Sequence, residues 1–202
     1  ALGCYKKACV LVLGIKEIKT TPINDLISAN TISKQNNGDS IIIRDINLES
    51  LENNIHNLIN EERKANGLST LSFDASLIEI AREHSQDMSA NSFFEHINLK
   101  GQDPTARAKS TGYNCYKDYG SYYIDGIGEN IFQNNLYDSV TYINFIPIYN
   151  WNTQEEIAQS TVQGWMNSPG HRENILTSTY DKEGIGIAIS SDDKVYITEN
   201  FC

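Results

Sequence analysis

The residues best suited to chemistry gather in residues 170–176, whose sequence is Gly-His-Arg-Glu-Asn-Ile-Leu. This segment holds His171, one of four histidines in the chain, and Glu173 two residues later. An imidazole and a carboxylate can act as a general acid and base or as two metal ligands. Pro169 and Gly170 interrupt the helical pattern before the segment. We therefore expect His171 to stand where the chain changes direction and to point into a cleft.

Two other stretches supply side chains of the same kinds. His96 comes just after two phenylalanines, which places its imidazole at the edge of buried surface. Glu129 stands among small and apolar neighbours in residues 128–131, and an acid in such surroundings is either paired or chemically active. Two imidazoles with one or two carboxylates could form a zinc site whose bound water has a pKa of about 7. The alternative is a hydrogen-bonded cluster in which Glu129 holds His96 and His171, charged at mildly acidic pH.

The composition excludes several classes of protein. At 202 residues and 40% hydrophobic, the chain can form one full domain with a buried core. No apolar run approaches the roughly 20 residues of a membrane helix, so we expect no integral membrane protein. The net charge is −10, and no lysine or arginine cluster extends beyond Lys6-Lys7. This balance argues against nucleic acid and against anionic membrane surfaces, because phosphate binding requires concentrated positive charge.

The cysteines indicate disulfides more than a metal site. Cys4, Cys9, Cys115 and Cys202 are even in number, and no Cys-x-x-Cys occurs. Three pairings are possible; we favour Cys115–Cys202 and Cys4–Cys9, because terminal segments need to be tied down. Free, buried thiols are the alternative. Disulfides would place the protein in an oxidising, extracellular compartment, after removal of a signal peptide upstream.

Residues 1–47 differ from the domain that we assign to residues 48–202. The apolar, β-branched runs at residues 9–15 and 40–44 predict strands, and the polar stretch at 30–38 predicts a loop. We interpret this segment as an extension with strand character. It could pair with itself, join the sheet of the main domain, or bind a partner or a neighbouring subunit by strand addition.

Helix signals follow at regular intervals. Asn47 is predicted to cap a first helix, with His56 beside its apolar stripe as a surface or boundary residue. Asp74 is predicted to cap a second helix. His84 lies on the apolar face of that helix, which is typical of a hydrogen-bonded core histidine. A capping box at residues 153–156 predicts a further helix.

The last part of the chain predicts a hairpin. Residues 184–189 alternate large with small side chains, residues 194–201 also alternate, and residues 190–193 form the turn. Since both faces of this hairpin can accept a layer, we expect a sheet covered by helices. Residues 132–152 are predicted to be mostly loop. The aromatic side chains there either pack onto the core as a flap or form a recognition surface, and they are Phe132, Tyr137, Tyr142, Phe145, Tyr149 and Trp151.

Together these stretches resemble the CAP superfamily, also called the SCP/TAPS or pathogenesis-related-1 family, in its bacterial and archaeal form. The resemblance covers about residues 48–202, roughly three quarters of the chain, and leaves residues 1–47 outside. Order and spacing agree throughout. The matching stretches are residues 58–68, 81–88, 94–96, 106–113, 128–131, 165–176 and 184–186.

The resemblance implies an α+β fold, a three-layer α-β-α sandwich with a cleft lined by two histidines and acidic residues. Carried over residue by residue, His96, Glu129 and His171 match the cleft positions, and Glu173 matches an acidic position often found after the second histidine. In some members the two histidines bind zinc or another divalent ion. Plant and animal members often carry a further glutamate shortly after the first histidine, whereas this chain offers only Asp103.

Three functions fit these features, and we favour the first. A secreted or cell-surface binding protein would take a small molecule, lipid, peptide or glycan, and the resemblance allows sterol and lipid binding in some members. A metal-dependent extracellular peptidase would use His96, Glu129, His171 and Glu173 as catalytic candidates, with the first three as metal ligands. No serine or cysteine nucleophile pattern stands out. A structural or filament subunit would assemble through residues 1–47, so deleting them would leave a folded monomer.

Overall fold

A computed structural model describes residues 32–33, 43–44 and 46–202. The helices are α1 (Leu48–Ala65), α2 (Ala75–Asn91), α3 (Pro104–Ser110), α4 (Gln154–Met166) and α5 (Pro169–Ile175). The strands are β1 (Ile32–Ser33), β2 (Ile43–Arg44), β3 (Ser72–Phe73), β4 (Tyr116–Asp118), β5 (Tyr123–Asp125), β6 (Gly128–Asn135), β7 (Tyr137–Ile143), β8 (Ile146–Trp151), β9 (Lys182–Ile189) and β10 (Lys194–Phe201).

Within the extension, residues 1–47, the structure describes only residues 32–33, 43–44 and 46–47. β1 and β2 pair antiparallel, and β2 lies within the strand predicted at residues 40–44. β1 lies inside the stretch predicted as a loop, so that prediction was wrong at two residues. A two-residue bridge needs only backbone pairing, which polar side chains do not prevent. The strand predicted at residues 9–15 and the Cys4–Cys9 pairing lie outside the described residues, and the domain boundary at residue 47 stays a prediction.

The main sheet has four strands in the order β3-β9-β10-β6. β10 pairs antiparallel with β9 on one side and with β6 on the other, which confirms the predicted C-terminal hairpin. α2 covers one face of this sheet. The other face carries α1, α4 and α5, whose apolar side chains form the main core with Ile185, Ile187 and Ile197. The predicted three-layer α-β-α sandwich is therefore the observed architecture.

The helix ends follow their capping signals. Asn47 Oδ1 accepts from the backbone N–H of Ser50, and Asp74 Oδ1 accepts from two N–H groups at the start of α2. Thr153 and Glu156 form the reciprocal capping box of α4. These local bonds satisfy donors that the first turn of a helix leaves unpaired, so the sequence positions each helix start closely.

The glycine face of β9 allows α2 to approach the sheet closely. A Cβ atom added to Gly184 would lie 2.2 Å from the carbonyl carbon of Leu77, and one added to Gly186 would lie 2.0 Å from the backbone nitrogen of Arg82. These neighbours are backbone atoms of α2. The helix can therefore occupy this position only where the strand has no side chain.

The predicted Cys115–Cys202 disulfide is present, with its Cα atoms 5.7 Å apart. It is buried in a second core cluster with Leu77, Ile80 and Ala108. The bond fastens the C-terminal residue to the segment before β4. Among the described helices, none combines the length and the apolar character that crossing a membrane requires.

The prediction that residues 132–152 are mostly loop is wrong. β6 continues to Asn135, and β7 and β8 form an antiparallel hairpin that turns at Asn144 and Phe145. Both turn residues have positive φ, 51° and 66°, a conformation for which glycine is the usual signal. Tyr142 and Phe145 are 69% and 98% exposed, so a flap packed onto the core does not describe them.

Candidate functional site

His96 and Glu129 meet beside the start of β6. Glu129 is buried, whereas the side chain of His96 is 40% exposed. His96 Nδ1 lies 2.9 Å from Glu129 Oε1, a hydrogen-bond distance. The imidazole therefore covers a buried carboxylate and presents its other edge to solvent.

Arg107 completes the environment of this carboxylate. It lies in α3 and forms a buried ion pair with Glu129 Oε2, while its Nη1 donates to the carbonyl of His96 at 2.6 Å. A buried carboxylate needs such a partner, because desolvating an unpaired charge is very costly. Sequence reasoning missed Arg107 as a site residue, although it belongs to a stretch that carries the family resemblance. Asp103, which follows the first histidine, caps α3 by accepting from the N–H of Ala106 at 2.7 Å.

His171 lies in α5, which two asparagines hold against β6. Asn130 Nδ2 donates to the His171 carbonyl at 3.2 Å, and Asn174 Nδ2 donates to the Glu129 carbonyl at 3.1 Å. Burial lowers the pKa of His171, and the charge of neighbouring His96 lowers it further. Both effects favour a neutral His171.

Glu173 is exposed and belongs to a different hollow. Residues two apart on a helix project about 200° apart, so Glu173 turns away from the side that carries His171. In the part of the chain that the structure covers, no hydrogen bond joins its carboxylate to His96, Glu129 or His171. It lines a cavity of about 330 Å³ with Met166, Asn167, Pro169, Arg172 and Leu176.

His84 is a buried core histidine, as its position on α2 predicts, but it also borders the cleft. Its Nε2 donates to the carbonyl of Glu95 at 3.0 Å and lies 4.0 Å from Glu129 Oε1. Burial lowers the pKa of His84, and nearby Arg107 adds to this effect while Glu129 opposes it. The neutral ring therefore has an acceptor at Nδ1.

Two buried polar atoms at this place lack hydrogen-bond partners within residues 46–202. They are His84 Nδ1, an acceptor, and Arg107 Nε, a donor. Both side chains line a pocket of about 200 Å³ next to Glu129, and its other polar lining residues are Glu83, Asn98, Lys100, Gln102 and Ser110. Hydroxyl groups and water molecules both donate and accept, so they suit atoms of these two kinds.

A second polar cluster lies on the opposite face of the sheet. His56 belongs to it, so the prediction of a surface or boundary position missed its partner. Its Nδ1 donates to Glu183 Oε1 at 2.5 Å, and its Nε2 accepts from Asn60 Nδ2 at 3.3 Å. Burial raises the pKa of Glu183 to about 7, and burial together with the charge of Glu183 raises that of Glu199 well above its usual range. The two carboxyls therefore hold a proton near neutral pH.

The donor set of the cleft fits a metal in one arrangement only. Glu129 is already paired with Arg107, but His96 Nε2 has no hydrogen bond in the described chain and could bind a divalent ion together with neutral His171. Glu129 would then orient His96 from behind, as carboxylates commonly do for metal-bound histidines. No group of three or more His, Cys, Asp or Glu in the described ranges is arranged as a metal site.

The layers define an α-β-α sandwich protein, in which His96 and Glu129 form a hydrogen bond beside the start of β6. The model of the Cysteine-rich secretory protein family, CAP, matches residues 56–201. The chain belongs to this family.

Individual relatives agree with this assignment. The chain is 31% identical over 153 residues to "Uncharacterized membrane protein YlbC" of Bacillus subtilis (strain 168), a match that covers 74% of this chain and 34% of the relative. It spans less than half the length of the curated relatives it matches. An extracellular protein containing a SCP domain from Bacillus anthracis str. Ames matches with a TM-score of 0.53 at 24% identity, over 76% of this chain and 40% of that one. An outer surface protein from Borrelia burgdorferi matches with a TM-score of 0.56 at 19% identity, over 77% and 94%.

Proposed function

We propose that this CAP domain is an extracellular binding module whose cleft takes a hydroxyl-bearing ligand, such as a glycan. Two observations support the location. The buried Cys115–Cys202 bond suits an oxidising compartment, and the structural relatives include an extracellular and an outer surface protein. Any activity or partner of the whole protein is likewise a proposal.

The buried, unpaired atoms His84 Nδ1 and Arg107 Nε carry this proposal. One accepts and the other donates, so hydroxyl groups, which do both, suit these side chains better than a carboxylate, which would leave Nδ1 without a donor. Leaving such groups unpaired costs about 1–3 kcal/mol each, which a fitting ligand or water recovers. The charged side chains of Glu83 and Lys100, which also line the pocket, favour a polar ligand over a lipid.

The paired state of Glu129 weighs against catalysis by this carboxylate. Arg107 and His96 already occupy its oxygens, so it is a poor general base. The second candidate, a metal-dependent peptidase, depends on His96 Nε2 and the neutral ring of His171. These two nitrogens would have to hold the ion.

Ligand binding is testable with chitotetraose as the hydroxyl-rich probe. We expect saturable binding by isothermal titration calorimetry, unchanged by EDTA. Arg107→Met should weaken it at least tenfold. Lys100→Met should weaken it a few-fold and stay folded, because Lys100 is an exposed lining residue. Arg172→Met, on the other cavity, is the matched control and should bind like wild type. Equal affinity in Lys100→Met, Arg107→Met and wild type would exclude this pocket.

Zinc titration tests the second candidate. If His96 and His171 hold the ion, His96→Ala and His171→Ala should each reduce zinc affinity at least tenfold while circular dichroism stays unchanged. Glu173→Gln should retain the affinity, since Glu173 lines the other hollow. A peptidase would also lose activity in both histidine variants and with a chelator. Zinc binding that survives both histidine substitutions would remove the metal from this cleft.

A further inference from the structure

The tip of the β7–β8 hairpin is apolar and exposed. The strands pair up to Ile143 and Ile146, with Asn144 and Phe145 forming the turn. Phe145 is almost fully exposed, and further apolar side chains around it are more than half or nearly half exposed, namely Tyr142, Ile143, Ile146 and Ile148. Single exposed apolar residues are common, but a contiguous group marks an interaction site.

Phe145 is one of the two turn residues, but its side chain packs neither in a core cluster nor against the hairpin. Its φ of 66° is in the left-handed region, where a bulky side chain is unfavourable and glycine is preferred. Its exposed side chain buries almost no surface that would compensate this cost. A residue kept in a locally unfavourable conformation without packing benefit indicates a function outside the fold.

The apolar side chains surround the tip rather than forming one flat face. Successive residues of a strand point to opposite faces, so Tyr142 and Ile143 lie on different sides of the hairpin. A partner protein with an interface of standard size would cover about 800 Å² on one face of the hairpin and would leave the other face exposed to solvent. The hydrocarbon region of a lipid bilayer, in contrast, would surround the tip on all sides. Residues 139–151 also contain no charged side chain, as insertion into such a layer requires.

We propose that this hairpin tip inserts into the interface of a zwitterionic lipid bilayer. At about 3.3 Å per residue, Tyr142 lies about 7 Å from the turn, within the depth of about 5–10 Å that interfacial segments reach. Tyrosine favours this boundary between acyl chains and headgroups. The net charge of −10 and Asp138 on the same hairpin disfavour anionic lipids. This contact is separate from the cleft and does not depend on its ligand.

Flotation of the full chain with phosphatidylcholine vesicles tests the proposal. Phe145→Gly removes the inserting ring and creates Asn-Gly, the preferred pair for this turn, so the fold is retained. We expect its partition coefficient to fall at least tenfold. Phe145→Trp should partition at least as well as wild type, with a blue shift of its fluorescence on binding. Tyr123→Ser removes another exposed aromatic side chain, 66% exposed, from β5 and should bind like wild type.

Several results would overturn the proposal. Wild type that does not float with phosphatidylcholine, or Phe145→Gly that floats equally well, excludes insertion of the tip. Tighter binding to vesicles containing phosphatidylglycerol contradicts the preference for neutral lipid. If analytical ultracentrifugation shows a dimer that Phe145→Gly dissociates, and vesicles do not bind, the occupant of the tip is a second copy of the chain.

Discussion

Gly186→Ala is expected to destabilise the domain by more than about 4 kcal/mol, a large part of the total stability of a typical domain. The new Cβ would lie 2.0 Å from the backbone nitrogen of Arg82 and 2.3 Å from the carbonyl carbon of Ala81. Backbone atoms in the middle of a helix cannot move aside singly, so the whole of α2 would have to shift. That shift would break the buried hydrogen bond of 2.8 Å from Ser85 Oγ to the Gly186 carbonyl. Urea denaturation followed by circular dichroism measures the loss.

Gly170→Ala is the matched control for this prediction. A Cβ at Gly170 meets nothing within 4 Å, and the residue lies in α5. Alanine in a helix is favoured over glycine by up to about 1 kcal/mol, so the variant should be as stable as wild type or slightly more stable. If Gly186→Ala unfolds within about 1 kcal/mol of wild type, α2 does not pack on the backbone of β9 as described.

The same close packing explains why the sheet was predictable from the sequence. Residues 184–189 alternate glycine or alanine with isoleucine, and a period of two specifies a strand with two different faces. The small face accepts α2 and the isoleucine face accepts α1. The helix starts were equally readable, because Asn47, Asp74 and Thr153 satisfy backbone donors locally.

The hairpin of β7 and β8 was not predictable by the same rules. Turns with two positive φ values are recognised by Asn-Gly or Asp-Gly, and this turn places Phe145 where glycine is expected. The sequence shows the aromatic residues around this turn as a group. It does not predict that they lie in two strands, because no turn signal divides the stretch.

The candidate site was predictable only in part. His96 and Glu129 were expected to meet, and their hydrogen bond joins residues 33 positions apart. Arg107 was missed because nothing in the local sequence shows that its guanidinium pairs with Glu129, which lies 22 residues further along the chain. Glu183 and Glu199 were missed because only the register of β9 against β10 places them diagonally on one buried face.

This buried carboxyl pair predicts a distinct dependence of stability on pH. A group whose pKa is raised in the folded state binds its proton more tightly there than in the unfolded chain. The stability it contributes is complete below its usual pKa of about 4.5 and is lost as pH rises through the folded value, which is about 7 for Glu183 and well above the usual value for Glu199. From pH 5 to pH 8, the pair should therefore lower the free energy of unfolding.

Glu199→Gln should remove one of these protons while keeping an oxygen that can accept from Asn130 Nδ2, as Glu199 does at 3.1 Å. Each proton taken up on folding contributes about 1.4 kcal/mol per pH unit. The variant should thus gain stability relative to wild type between pH 5 and pH 8, measured by urea denaturation at each pH. Exposed Glu173→Gln should show no such change. Equal pH slopes for Glu199→Gln and wild type would contradict a buried, protonated pair.

Hydrogen bonds of Asn130 connect this carboxyl pair to the backbone of His171. The same Nδ2 group that donates to Glu199 donates to the His171 carbonyl, and Asn174 donates to Asn130 Oδ1 at 2.9 Å. His56 and Arg63 are the basic groups nearest the pair, and His56 already donates to Glu183. A second negative charge on Glu199 would therefore pull on Asn130, one of the two asparagines that hold α5 against β6. Chemical shifts of the His171 ring should follow the titration of the pair in wild type and lose that step in Glu199→Gln.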